Sequence, residues 1–188
     1  MSNSRVFFTA LTGHPGSLSI SRAAAGFTLI ELMIVLVIVA VIAVMAGPGF
    51  SEANLNSMLK TSSNALVSSM YTARGEAIKR NVPVRLCASA DGSSCATSGD
   101  WEQGWVVLDP NDVVIEHRQG LPAGYKMKST GGLTLTFQPS GLASTLSTIL
   151  VCRATPEAGR QERKITVSGT GRPSVSKTTT AVCPVQAG

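Results

Sequence analysis

The chain has 188 residues, of which 16 are Lys or Arg and 11 are Asp or Glu, giving a formal net charge of +5. A charge this mild does not by itself predict a nucleic-acid partner, and the length fits one compact domain behind an apolar N-terminal segment. The sequence contains no phosphate-binding loop or dinucleotide fingerprint. We therefore expect no cofactor.

The first predicted element is an apolar segment near the N-terminus. Twenty residues from Phe27 to Ala46 carry a single charge, on Glu31. As a helix, rising about 1.5 Å per residue, they would cross a hydrocarbon layer of about 30 Å. A carboxylate at such a place costs roughly 2.5 to 3.5 kcal/mol on insertion scales, so it usually marks a functional contact.

The residues Gly26-Phe27-Thr28-Leu29-Ile30-Glu31, followed by Leu32-Met33-Ile34-Val35, resemble the class III signal of type IV pilins and of the pseudopilins of type II secretion. The resemblance implies that a prepilin peptidase cuts between Gly26 and Phe27 and that Phe27 is then N-methylated. It also implies that Glu31 pairs with the terminal amine of a neighbouring subunit. An ordinary secretory signal or a simple membrane anchor is the alternative.

Two arginines, Arg5 and Arg22, and no acid precede the apolar segment. The positive-inside rule therefore places the C-terminal part in the periplasm, with a single pass through the inner membrane. We expect residues 1–26 to be a removed leader, 27–50 the transmembrane and assembly half of a helix, 51–82 its amphipathic half, and 83–188 a β-rich periplasmic domain.

The amphipathic half is predicted from an apolar stripe at helical spacing. Its members are Leu55, Leu59, Leu66, Met70, Ala73 and Ala77. The stripe could pack on the protein's own sheet or on neighbouring filament helices, and we expect the first for its C-terminal half. The helix should end near Asn81, because Pro83 disfavours helix at the residue before it.

Short β-rich runs bounded by turn residues follow the helix, which predicts an α+β fold with a mostly antiparallel sheet packed on the helix. The predicted strands cover residues 84–88, 104–108, 113–118, 133–137, 148–152 and 164–168. Trp101 and Trp105 are predicted to lie in the core rather than on a binding surface.

The run from Trp101 through Gly104-Trp105 to Asp109 and Asp112 resembles the GspH/FimT branch of the pilin-like proteins, in which a Gly-Trp strand is followed by an acidic turn. From the residues themselves, Asp109 and Asp112 around Pro110 predict a hairpin turn rather than a calcium loop.

The four cysteines, in a chain expected to be exported, predict disulfides. Local pairing would join Cys87 to Cys95 and Cys152 to Cys183, although three connectivities are open from the sequence. No metal site is predicted, because no Cys-x-x-Cys occurs and His117 is the one histidine beyond the leader.

The C-terminal part carries a local excess of basic residues. Candidate DNA contacts are Arg160, Arg163, Lys164, Arg172 and Lys177. The segment Gly171-Arg172-Pro173-Ser174 is similar to the Gly-Arg-x-Arg motif of FimT-like members that bind DNA, but its second arginine is missing. We therefore prefer a solvated loop over a flexible tail that contacts phosphates.

No catalytic residues are predicted, because His117 and Glu116 point to opposite faces of a predicted strand. We interpret the chain as a structural minor pilin or pseudopilin that joins other subunits of a type IV pilus or a type II secretion pseudopilus. A DNA-binding minor pilin for natural transformation and a membrane-anchored periplasmic binding protein unrelated to filaments are the alternatives.

Overall fold

A computed structural model of the protein describes residues 26–155, 159, 161–179 and 183, without the side chains of residues 45–51. The chain divides into two compact units, Met1–Met45 and Ala46–Gly188. The predicted leader before Gly26 and the candidate DNA contact Arg160 lie outside the described residues.

The helix α1 extends over Leu29–Arg80, 52 residues. Thr28 caps its start, since its Oγ1 accepts a hydrogen bond from the Glu31 amide at 3.2 Å. The helix ends where expected: Asn81 follows it with φ 56°, the left-handed conformation that commonly terminates a helix. In the described residues, no helical stretch is sufficiently long and apolar to span a membrane.

Within the second unit, the predicted apolar stripe of α1 is buried in the core. Its six members, each at most 1% exposed, are Leu55, Leu59, Leu66, Met70, Ala73 and Ala77. They form one cluster with inward-facing strand residues such as Leu86, Phe137 and Ile165. The predicted packing of the C-terminal half of the stripe on the protein's own sheet is confirmed, and the N-terminal half of the stripe is buried in the same core.

The β-rich part contains eight strands in two antiparallel sheets. The strands are β1 Val84–Ala88, β2 Gly104–Leu108, β3 Val114–Gln119, β4 Tyr125–Ser129, β5 Thr134–Phe137, β6 Ser147–Arg153, β7 Glu162–Val167 and β8 Pro173–Thr178. Sheet 1 has the order β3-β2-β1-β5, and sheet 2 has the order β4-β6-β7-β8. All strand pairs are antiparallel, so the predicted α+β class is confirmed.

Two strands, β4 and β8, were absent from the sequence prediction. The segment from Arg172 onward was expected to be a solvated loop or flexible tail, and this expectation is wrong because β8 pairs with β7 along its whole length. Pro173 is the first residue of β8, and β8 is an edge strand, the position in a sheet where proline is tolerated.

Both tryptophans lie in the core, as predicted: Trp101 is 0% exposed and Trp105 is 2% exposed. The indole N–H of Trp101 donates to the Gly132 carbonyl at 3.0 Å, and that of Trp105 donates to Ser69 Oγ at 2.9 Å. Because each polar indole atom has a partner, burying these large rings leaves no unsatisfied donor.

The two disulfides join Cys87 to Cys95 and Cys152 to Cys183, the local pairing that we expected. The hairpin turn predicted between β2 and β3 is also present. Asp109 Oδ1 accepts hydrogen bonds from the Asn111 and Val113 amides at 2.8 and 2.9 Å. Asp109 Oδ1 is therefore engaged by backbone amides of the turn, which agrees with a structural role for Asp109.

Candidate assembly site and charged surfaces

Gly26 and Phe27 lie just before α1, and Glu31 lies in its first turn. Thr28 and Glu31 have the Thr-x-x-Glu spacing of a capping box, and the Thr28 half of that box is formed. The Glu31 side chain is exposed, and no ion pair to it occurs among the described residues. Glu31 can therefore both support the helix start and accept a cation from outside the chain.

The helix that follows exposes apolar side chains on every side. Phe27 is 81% exposed and Leu29 is 82% exposed, and the large apolar residues onward to Val44 are all at least 46% exposed. A helix that is apolar around its whole circumference is stable when it is buried in a membrane or against partner helices. This exposed apolar segment therefore needs a membrane or a partner to cover it.

Sheet 2 does not bring the candidate DNA contacts together. Arg163 and Lys177 are cross-strand neighbours on the face that also carries the buried Ile165. Lys164 lies on the opposite face, and by strand alternation Arg172 lies there too. The four described cations are therefore split between the two faces of sheet 2.

Arg163 has a structural partner instead. Its guanidinium donates a hydrogen bond to the side-chain oxygen of Asn56 on α1, linking β7 to the helix. Sequence reasoning missed this contact, because 107 residues separate the two side chains. Lys164 and Arg172 are exposed and have no ion pair among the described residues.

The turn that carries Gly171 and Arg172 is rigidly built. The Gly171 amide donates to the Ser168 carbonyl at 2.9 Å, and the Ser168 hydroxyl donates to the Arg172 carbonyl at 3.1 Å. Gly171 has φ 71°, in the left-handed region that favours glycine. The glycine of the DNA-motif resemblance is thus required by the turn itself.

The loop closed by Cys87 and Cys95 is organised around Asp91, which sequence reasoning did not single out. Asp91 Oδ1 accepts hydrogen bonds from the Ser93 and Ser94 amides and the Ser89 hydroxyl, each at 2.9 Å. Asp91 Oδ2 accepts one, from the Ser94 hydroxyl at 2.7 Å. These donors, the Ser93 amide first, hold the pKa of Asp91 well below its usual range.

A polar cleft of about 280 Å³ lies between this loop and the end of β3. Its lining residues include Ser89, Asp91, Gln103, His117, Gln119 and Gly120. His117 and Glu116 lie on opposite faces of β3, as predicted, and Glu116 is bonded to Ser69 and Arg118. Within the described ranges, no group of three His, Cys, Asp or Glu side chains could hold a metal ion.

Comparison with protein families gives two matches. Residues 62–171 match the family described as type II transport protein GspH, and residues 21–47 match the prokaryotic N-terminal methylation motif. A comparison with curated protein sequences found no match.

Solved structures similar to this chain include two crystal forms of the type IV minor pilin FimU from Pseudomonas aeruginosa. Both are 20% identical; one has a TM-score of 0.53 over 64% of this chain and 90% of FimU, the other 0.50 over 63% and 92%. The minor pseudopilin EpsH of the type 2 secretion system of Vibrio cholerae is 13% identical, with a TM-score of 0.45 over 63% of this chain and 96% of EpsH. At this identity, the likeness to FimU concerns the fold.

Proposed function

The chain belongs to the type II transport protein GspH family and is a membrane-anchored minor pilin or pseudopilin of a type IV pilus or a type II secretion system, and from this we propose that the first half of α1 docks it into the filament. Members of this family are structural subunits that assemble with other pilins. The observation that carries the proposal is the uniformly exposed apolar surface from Phe27 to Val44.

Processing precedes assembly in this proposal. A prepilin peptidase cuts between Gly26 and Phe27, and Phe27 becomes the methylated N-terminus. The match of residues 21–47 to the N-terminal methylation motif supports this processing. Arg5 and Arg22 keep the leader in the cytoplasm, so the domain that follows α1 lies in the periplasm.

Glu31 then sets the axial position of the subunit. A carboxylate and an amine that meet in an apolar environment offset each other's desolvation cost, whereas either one alone does not. Because the Glu31 side chain has no ionic partner among the described residues, it is available to the terminal amine of a neighbouring subunit. Docking is then favoured in one register only.

The experiment must separate this pairing from helix capping, because Glu31 occupies the N3 position of a capping box. Glu31→Gln keeps a capping side chain but removes the charge, whereas Glu31→Ala removes both. We expect both variants to be expressed and cleaved at Gly26, and both to be missing from the filament fraction. Normal incorporation of Glu31→Gln would show that capping, not pairing, is the role of Glu31.

DNA binding is a second, weaker proposal. It is supported by Lys164 and Arg172, which are exposed on the same face of sheet 2 with no acidic partner in the described part of the chain. Two cations contact phosphates without reading bases, so such binding would be non-specific and sensitive to salt.

A further inference from the structure

The open edge of β3 distinguishes this strand from the other edge strands of the two sheets. The amide of Met127 in β4 donates to Glu102 Oε2 at 3.2 Å, and the edge of β5 is bridged at Phe137 by Ala143. The edge strand β8 carries Pro173 and Lys177, residues that discourage pairing with another chain. Among the described residues, no segment covers the edge of β3.

The hydrogen-bond pattern shows which backbone groups this edge presents. The Ala88 amide at the end of β1 donates to the Leu133 carbonyl at 2.8 Å, on the side of β1 that faces away from β2. Ala88 is the β1 partner of Trp105, so these two residues do not bond to each other. The backbone groups of Trp105 therefore point toward β3. Arg118 is the β3 partner of Trp105. Backbone groups alternate along an antiparallel strand, so the N–H and C=O groups of His117 and Gln119 point to the open edge.

The polar cleft lies at these same two residues. His117 and Gln119 line one side of it, and the disulfide-closed loop lines the other. The His117 ring lies against Gly92, since a Cβ placed there would be 3.5 Å from His117 Cδ2. An added strand bonded to the edge would thus have a side-chain pocket of about 280 Å³ beside it. Open backbone groups next to a side-chain pocket are the two requirements for recognition by strand addition.

The charges in the cleft indicate which side chain of an added strand it would accept. Arg118 is paired with Glu116 at 2.9 Å, so its positive charge is compensated. Asp91 is ionised and exposed, and its Oδ2 accepts one hydrogen bond from the protein, which leaves acceptor capacity for a ligand. The uncompensated charge of the cleft is negative, so it complements a basic side chain.

We propose that the edge of β3 accepts an extended segment of a neighbouring filament subunit, which adds as a fifth strand to sheet 1 and places a Lys or Arg side chain in the cleft beside Asp91. Backbone bonds to His117 and Gln119 supply the affinity, and Asp91 supplies the selectivity. The identity of the partner as a filament subunit rests on the proposed function.

The test uses the full chain in the cells that produce it, with a photo-crosslinking residue, p-benzoylphenylalanine, in place of Gln119. A second variant carries it at Val114, the first residue of β3, in case the bulky ring at position 119 blocks pairing. A control carries it at Ser176, on the edge of β8. We expect adducts with another pilin subunit from the β3 positions and none from Ser176.

The Asp91→Asn exchange, combined with each crosslinking position, tests the cleft. Asparagine keeps the acceptor oxygen that organises the loop but removes the charge, so we expect the adduct yield to fall at least threefold. An unchanged yield would show that the partner does not place a basic side chain in the cleft. Absence of adducts from both β3 positions, in filaments that contain the protein, would overturn strand addition while leaving the proposed function intact; absence of the protein from filaments would overturn both.

Discussion

Arg74 of the helix and Gly171 of the β7–β8 turn are packed against each other with no space for a further atom. Arg74 Nε donates to the Gly141 carbonyl at 2.9 Å. A Cβ added to Gly171 would lie 3.1 Å from Arg74 Nε and 2.2 Å from the Gly141 oxygen. The Arg74 guanidinium thus fixes two glycine-containing turns on the surface of α1. This packing leaves no space for a side chain at position 171, which therefore requires glycine.

The first prediction follows from this contact. Gly171→Ala should destabilise the protein by about 1 to 3 kcal/mol, because the added methyl group meets a backbone oxygen and φ 71° is strained for alanine. Thermal unfolding followed by circular dichroism measures the loss. Gly169→Ala is the matched control, since its Cβ would have 3.8 Å to the nearest side-chain atom and its melting temperature should barely move. Equal losses in both variants would contradict the packing argument.

The second prediction concerns Ser69, which accepts the indole hydrogen bond of Trp105 and donates to Glu116 Oε1 at 2.8 Å. Ser69→Ala should cost about 1 to 3 kcal/mol, because it leaves the buried indole N–H without a partner. Ser63→Ala removes an equally buried hydroxyl that bonds to the carbonyl of Leu59 in the same helix, so it should cost much less. Denaturant unfolding followed by tryptophan fluorescence compares the two.

The third prediction separates the proposed DNA contacts. With two phosphate contacts, from Lys164 and Arg172, affinity for duplex DNA should fall by roughly tenfold between 50 and 200 mM salt; five contacts would give several hundredfold. Arg172→Ala should weaken binding at 50 mM salt, whereas Arg163→Ala should not, since Arg163 is engaged with Asn56. Titration of labelled DNA with the full chain in detergent measures both, and no binding at 50 mM salt would end the DNA proposal.

The fourth prediction is a pH dependence. The pKa of the Asp91 carboxyl is lower in the folded protein than in the unfolded chain, where it is near 3.9. Its contribution to stability is therefore present at neutral pH and is lost as the pH falls from about 5 toward the folded pKa. The melting temperature of the protein should fall more between pH 7 and pH 3 than that of Asp91→Asn. Parallel curves would show that the loop carboxylate does not couple to folding.

Those features of the fold that depend on local pattern were predicted correctly. The apolar spacing of α1, its end before Pro83 and the strands rich in β-branched or aromatic residues all carry their signal within a few residues. Strand β4, Tyr125–Ser129, was missed although its alternation of Lys126 and Lys128 with the buried Met127 is a half-buried pattern. The strand pattern was not recognised because the polar residues of this segment have little β preference.

Strand β8 had no signal of that kind. Its residues Ser174, Val175, Ser176 and Lys177 are all exposed, so no apolar alternation marks it. This segment is a strand because it pairs with β7, and the residues of the segment alone do not indicate that pairing. The division into two sheets and the Arg163–Asn56 contact were missed for the same reason, since they depend on residues far apart in sequence.

The disulfide between Cys152 and Cys183 determines how the domain responds to mechanical load. Cys152 lies in β6, an interior strand of sheet 2, whereas β8 is at the edge of that sheet. A force that pulls on the chain end beyond Cys183 is transmitted through the covalent bridge directly to β6. The hydrogen bonds between β8 and β7 do not carry this force. A subunit pulled from its carboxyl end therefore resists the stepwise detachment of β8 from the edge of sheet 2.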